Sequence, residues 1–400
     1  MSSALSAAEA TEFAAKVRDF LTANAKSGRG RDISAAKEFQ GKLAAAGLAG
    51  IPFASEFGGA GLTLEHERIF RQVAQEFPMM TGELVISHGM CLPVLNEFGT
   101  DDQKRKFMPD NIAARTVWCQ MFSEPGAGSD VASLQTKAER DGDEWVLNGQ
   151  KVWTTLAHVS DYGVIIARTD PEQPKHAGIS MFILDLKSPG VEIRPIHQID
   201  GGSHFNEVFF SDVRIPAENL LGEYNNGWRQ ATAMLMYERV AIGSMNSGKI
   251  TQPMYDILAK WAKRSGAINN PVVRDDLMKV YCMETTKAMV AMRNRAEMKA
   301  GKAPGPGGSL GKLYGSIIAR RFRQIAQNIA GPASVAWDGD NTDEEALNIN
   351  MISSLSSGIA GGTDEIQRNI IGDRVLGLPR DISVDTNVPF KELRVGTQRT

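Results

Sequence analysis

Gln120-Met121-Phe122-Ser123-Glu124-Pro125-Gly126-Ala127-Gly128-Ser129-Asp130, followed after one hairpin by Leu147-Asn148-Gly149-Gln150-Lys151-Val152-Trp153-Thr154-Thr155, is the stretch on which the reading of this chain turns. The first part is a strand running into a turn. Pro125 fixes one backbone angle, and Gly126 and Gly128 allow bare amides to approach a bound group closely. Ser123 and Ser129 add hydroxyl donors at either end, so the turn can hold an anionic or carbonyl-rich cofactor. A tight surface loop would read the same way. Trp153 with Thr154 and Thr155 offers a flat ring and hydroxyls that could cover a planar heterocycle, although a core tryptophan is the plainer alternative.

Outward from this stretch, 400 residues exceed what one core usually holds, so two or three packed units are expected. The 44 basic and 47 acidic residues nearly cancel, which gives no basic excess for nucleic acid and leaves any anionic substrate to be met by local charge. Cys91, Cys119 and Cys282 are far apart, without metal-ligand spacing, and read as reduced core thiols. His158, His197 and His204 likewise lack ligand spacing. No apolar run is long enough to span a bilayer, and the N-terminus lacks the marks of a signal or import peptide, so a soluble cytoplasmic protein is expected.

The pattern divides the chain in three. Residues 1–115 carry helical periodicity, with Phe13, Val17 and Phe20 at three- and four-residue spacing and a new helix expected at Thr63, capped by its own side chain. Residues 116–225 change to short β-branched and aromatic runs such as Tyr162–Ala167 and Ile179–Leu184, which predict an antiparallel β-barrel or sandwich. Residues 226–400 return to helix, placed at 227–265, 271–300, 309–330 and 343–359, and predict a four-helix bundle that also forms a subunit interface. The last twenty residues read as a polar arm or a loose end.

Two stretches of the last region draw attention. In Met234-Leu235-Met236-Tyr237-Glu238-Arg239-Val240-Ala241-Ile242 a carboxylate lies on an otherwise apolar helix turn. Burial there would raise its pKa toward a usable proton acceptor, while pairing with Arg239 or another cation would make it purely structural. In Ala360-Gly361-Gly362-Thr363-Asp364-Glu365-Ile366-Gln367-Arg368 the glycines end one helix, Thr363 caps the next, and Asp364 and Glu365 suit its positive end.

Ser123 to Trp153 closely resembles the flavin-binding signature of the acyl-CoA dehydrogenase family. The 360–380 stretch resembles that family's C-terminal signature, and the likeness extends over nearly the whole chain to Pro379. It implies an α+β fold of N-terminal helical domain, middle β-barrel and C-terminal four-helix bundle. It implies FAD, with Phe122, Ser123, Gly128 and Ser129 lining the flavin, Trp153 and Thr155 covering its ring, and Thr363 with Glu365 contributing from the C-terminal region. Ser203 matches a CoA-contacting serine, and with Arg239 is placed on the substrate side.

Many members carry the catalytic glutamate at the position of Gly361. Isovaleryl-CoA and long-chain members carry it on the earlier helix directly before an arginine, which Glu238-Arg239 matches. The resemblance then implies oxidation of an acyl-CoA thioester to the trans-2-enoyl-CoA, with Glu238 as base, FAD as hydride acceptor, and electron transfer flavoprotein taking the electrons. Arg264-Ser265-Gly266-Ala267 and Gln327-Asn328-Ile329-Ala330-Gly331-Pro332-Ala333 depart from the segments with which many members reach a neighbouring subunit's FAD. A homotetrameric dehydrogenase is therefore expected first, then a subunit of a heterotetramer that is inactive alone, then a flavin oxidase or monooxygenase on the same fold.

Overall fold

The structure, a computed structural model, describes residues 5–26, 32–243, 252–300, 307–335, 342–380, 382 and 385–393, with the backbone alone at 239–243, 298–299 and 342–346. The chain forms two compact units, one of Met1–His197, Ser203–Ser244 and Ser383–Thr400, the other of Gln198–Gly202 and Met245–Ile382.

The first unit opens with helices α1 (Ala7–Asn24), α2 (Ile33–Ala45), α3 (Leu64–Ala74), α4 (Leu92–Phe98) and α5 (Asp101–Ile112). Their starts are written locally: Ser6 and Glu9 form a capping box on α1, and Thr100 and Gln103 one on α5. Thr63 starts α3 as expected, and its hydroxyl pairs with His66 Nδ1 at 2.8 Å. A π-helical turn, Ser87–Cys91, leads into α4.

Eight strands follow in one sheet, β1 (Trp118–Met121), β2 (Lys137–Asp141), β3 (Glu144–Thr155), β4 (Tyr162–Arg168), β5 (Ile179–Asp185), β6 (Val191–Ile196), β7 (Phe205–Pro216) and β8 (Leu220–Leu221), in the order β6-β7-β3-β2-β4-β5-β8. Most pairings are antiparallel, but β1 and β2 both run parallel to β4. β4 is buried on both faces. Val164 and Ile166 join the core shared with the helices, while Ile165 and Ala167 join a second core with Phe182, Leu184, Val208 and Phe210. Its residues therefore read as a continuous apolar run instead of an alternation. Helix α6 (Gly227–Gly243) completes the unit and packs on α4, the π-helical turn and β5.

The second unit contains α7 (Pro253–Arg264), α8 (Pro271–Lys299), α9 (Gly307–Ala330), α10 (Thr342–Ser353) and α11 (Asp364–Arg374). Leu258, Trp261, Leu277, Val280, Phe322, Ile325 and Leu347 form its core. The single helix expected over 227–265 is two, α6 and α7. Pro253 stands in the first turn of α7, a position that needs no amide donor. The expected 343–359 helix ends at Ser353.

Candidate active site

β1 delivers Phe122 and Ser123 to the turn. Glu124 and Ala127 exchange backbone hydrogen bonds of 3.0 and 3.1 Å, which closes it. The Val152 amide donates to the Ser123 carbonyl at 2.9 Å, so the turn lies against the end of β3 that carries Trp153. Beneath both, Lys151 is fully buried. Its ammonium donates to the Phe122 carbonyl at 3.0 Å and to Glu124 Oε1 at 2.8 Å. Glu124 also accepts from the Gln135 amide at 2.6 Å and the Thr136 amide at 3.0 Å.

Burial works to raise the Glu124 carboxyl, but Lys151 and these donors outweigh it and hold it below its ordinary value. Burial pushes Lys151 below the usual lysine range, and Glu124 offsets this only in part. The pair thus spends most of its attraction on its own desolvation, and what it secures is the backbone of 122–124.

Trp153 is not a core residue. It is 58% exposed, at φ 61°, where β3 slips register against β7 between Lys151 and Thr154. A left-handed backbone at a tryptophan costs about 1–2 kcal/mol, and such strain gathers at functional sites. The bulge turns the indole outward, edge-on to Phe205 with ring centroids 5.9 Å apart, while Thr154 turns inward with its hydroxyl buried and unpartnered. Thr155 pairs with Phe205 across β3 and β7, which places half-buried Ser203 two residues away on the approach to β7.

This surface fits a planar, oxygen-rich cofactor. A Cβ at Gly128 would meet nothing within 4 Å, leaving that backbone open to approach. Among the described residues, the hydroxyls of Ser123 and Ser129 make no hydrogen bond to the protein.

Glu238 lies partly buried on α6. The preceding Tyr237 donates to Glu97 on α4 at 2.6 Å, which pins this turn of α6. The side chain of Arg239 lies outside the described residues. In the second unit Gly361 and Gly362 take φ of 67° and 89°, and Thr363 caps α11 by accepting from the Ile366 amide at 3.3 Å. Glu365 is exposed there, while Asp364 is buried and accepts from Ser316 at 2.7 Å and Arg320 at 2.6 Å. The structure thus gathers Phe122, Ser123, Gly128, Ser129, Trp153, Thr155 and Ser203 in one unit with Glu238, and places Thr363 and Glu365 in the other.

The sequence reading gave no role to Lys151, Glu124, Arg168 or Lys175. No local signal marks them: Lys151 follows Asn148, Gly149 and Gln150, and Arg168 ends β4 just before Thr169 and Asp170, so only the folded chain shows that these charges are buried. Among the described residues no His, Cys, Asp and Glu cluster could hold a metal, and no helix is long and apolar enough to cross a membrane.

The described chain thus runs through a helical segment, a β-sheet segment that carries this turn and bulge, and a second helical segment. Acyl-CoA dehydrogenase N-terminal, middle and C-terminal domains match residues 7–115, 119–213 and 225–376, and the chain belongs to the acyl-CoA dehydrogenase family. Over 390 residues it is 37% identical to acyl-CoA dehydrogenase IpdE1 of Mycobacterium tuberculosis, covering 92% of this chain and 98% of that one. Among solved structures it is similar to the Tcur3481-Tcur3483 steroid ACAD, at 26% identity and a TM-score of 0.76, covering 94% of this chain and 99% of the other. It is also similar to the ChsE4-ChsE5 complex from M. tuberculosis, at 27% identity and a TM-score of 0.75, covering 96% and 100%. The protein is thus an oxidoreductase acting on CH–CH bonds of acyl-CoA, with FAD as cofactor.

Proposed function

We propose that this chain oxidises the Cα–Cβ bond of a bulky, steroid-derived acyl-CoA thioester to the trans-2-enoyl-CoA, with Glu238 as the base. Hydrogen bonds to the thioester carbonyl acidify the adjacent C–H, and the Glu238 carboxylate takes that proton. FAD, when bound, supplies the acceptor for the hydride that leaves the next carbon. The Ser123–Ser129 turn holds the flavin, Trp153 and Thr155 cover it, Thr363 and Glu365 contribute from the C-terminal region, and Ser203 and Arg239 are the substrate-binding residues. Electron transfer flavoprotein then receives the electrons.

The backbone at Gly361 carries the assignment of the base. At φ 67° that position is built for glycine, and a glutamate would be strained there, which supports Glu238 as the carboxylate that does the chemistry. The steroid class rests on the similarity to the Tcur3481-Tcur3483 steroid ACAD. A panel of acyl-CoA thioesters, steroid-derived and straight-chain, is titrated without oxygen while the visible flavin band is followed. Bleaching by a steroid-derived thioester, abolished in Glu238→Gln, supports the whole reading; bleaching that persists in Glu238→Gln sinks the base, and preference for a straight chain sinks the substrate class.

A heteromeric enzyme is the second reading. Two structural relatives are named as pairs of components. The departures at Arg264–Ala267 and Gln327–Ala333 also fit a chain whose cofactor site is completed by a dissimilar subunit. Co-purification of a second chain of this family, with flavin retained only in the complex, would favour this arrangement over the homotetramer.

A further inference from the structure

The turn at Gly128–Asp130 has a second set of supports, and they come from the far end of the sequence. Asp130 accepts from Lys175 Nζ at 3.2 and 3.1 Å, and the same ammonium donates to Asp385 at 2.7 Å. Arg168 is buried and donates to the carbonyls of Ala132 at 2.6 Å and Lys175 at 2.7 Å. The Phe390 ring lies over its guanidinium at 3.7 Å, and the Phe390 amide donates to the Gln173 carbonyl at 2.9 Å. No carboxylate pairs with Arg168 at hydrogen-bond distance among the described residues, and burial pushes its guanidinium down to about 10. Phe390 is thus the group that covers a poorly compensated cation.

The two cations act on different parts of one segment. Lys175 holds the carboxylate next to Ser129, and Arg168 holds the backbone two residues further on. Each has one face against the 130–134 segment and the other against the 385–390 segment.

We propose that Asp385–Leu393 is a positioning clasp: Asp385 through Lys175, and Phe390 through Arg168, hold Asp130 and Ala132 in the shape that presents Ser129 to the cofactor. The clasp rests on the reading of Ser123–Ser129 as the flavin turn. Asp385 and Phe390 are positioning residues, since neither touches the turn itself.

The full-length chain is prepared without flavin as wild type, Asp385→Asn, Phe390→Ala, Phe390→Tyr and Lys391→Ala. Each is titrated with FAD by flavin fluorescence, and amide hydrogen exchange across 128–134 is followed in the flavin-free protein. Asp385→Asn and Phe390→Ala are expected to raise the FAD Kd about tenfold and to speed exchange at 128–134, with melting temperature little changed. Phe390→Tyr, which keeps the ring over Arg168, restores both. Lys391→Ala removes only an exposed pair with Glu172 and leaves both at wild-type values. FAD Kd and exchange within twofold of wild type in Asp385→Asn and Phe390→Ala overturn the clasp. A wild-type chain that takes up no FAD, either alone or in complex with a dissimilar chain that co-purifies with it, overturns the flavin turn itself, whatever the exchange shows.

Discussion

Lys151 Nζ stands 2.8 Å from Glu124 Oε1, with no solvent at the lysine and almost none at the glutamate. They stand 27 positions apart in the chain, and the pair staples the two halves of the site-forming stretch from below.

Breaking this pair from one side leaves a buried, uncompensated charge. Lys151→Met is expected to lose about 3–5 kcal/mol of stability by denaturant unfolding. Glu124→Gln/Lys151→Met should lose less than the sum of its singles, by about 1–3 kcal/mol, because each single leaves one buried charge uncompensated and the double leaves none. Strict additivity in the cycle would show that the two charges do not support each other.

Trp153→Gly separates strain from use. Removing the left-handed tryptophan relieves about 1–2 kcal/mol, and glycine costs about 0.5–1 kcal/mol in unfolded-state entropy, so stability should rise by no more than about 1.5 kcal/mol. FAD affinity should nevertheless fall tenfold or more. Unchanged FAD affinity would make the exposed indole an ornament of the bulge.

His88 gives the fold an acid limit. Its Nε2 lies 2.7 Å from the Asn111 carbonyl, and burial pushes the imidazole from 6.5 down to about 4. Between those values the unfolded chain binds a proton that the folded chain does not, so stability falls as pH falls from 6.5 to 4 and is flat above. The full shift corresponds to about 3 kcal/mol; roughly half is expected, because the residue keeps some solvent-accessible surface. His88→Gln should flatten this part of the stability–pH curve.

Glu238→Gln should slow flavin reduction by about 10²–10⁴-fold while leaving the flavin spectrum and substrate affinity near wild type. Stopped-flow reduction at saturating thioester reads this directly. A loss confined to KM would assign Glu238 to binding.

The division into helical, sheet and helical regions was legible because each period spans many residues, as in Phe13, Val17 and Leu21 on α1 or the fully buried β4. Three features were not. The parallel pairing of β1 with β4 depends on a crossover, which local alternation does not encode. The positive φ at Trp153 belongs to a residue type that rarely adopts it, so no propensity points there. The last twenty residues looked loose because their composition is polar, yet Phe390 and Asp385 dock residues 385–393 on the first unit; residues 394–400 lie outside the described ones. Of the site, the turn and Trp153 were visible as motifs, whereas the buried cations that hold them became visible only through partners 27 to 210 positions away.

Lys175 waits for Asp385 across 210 residues of chain. A ribosome adding about 5–20 residues per second makes that partner some 10–40 seconds after the lysine. Through that interval the nascent sheet has its Glu124–Lys151 staple but not its clasp, so tight capture of the cofactor is a late event in biosynthesis. A chain stalled or clipped before residue 385 would then circulate as a folded but weakly loaded apoprotein, distinguishable from the finished enzyme by its colour.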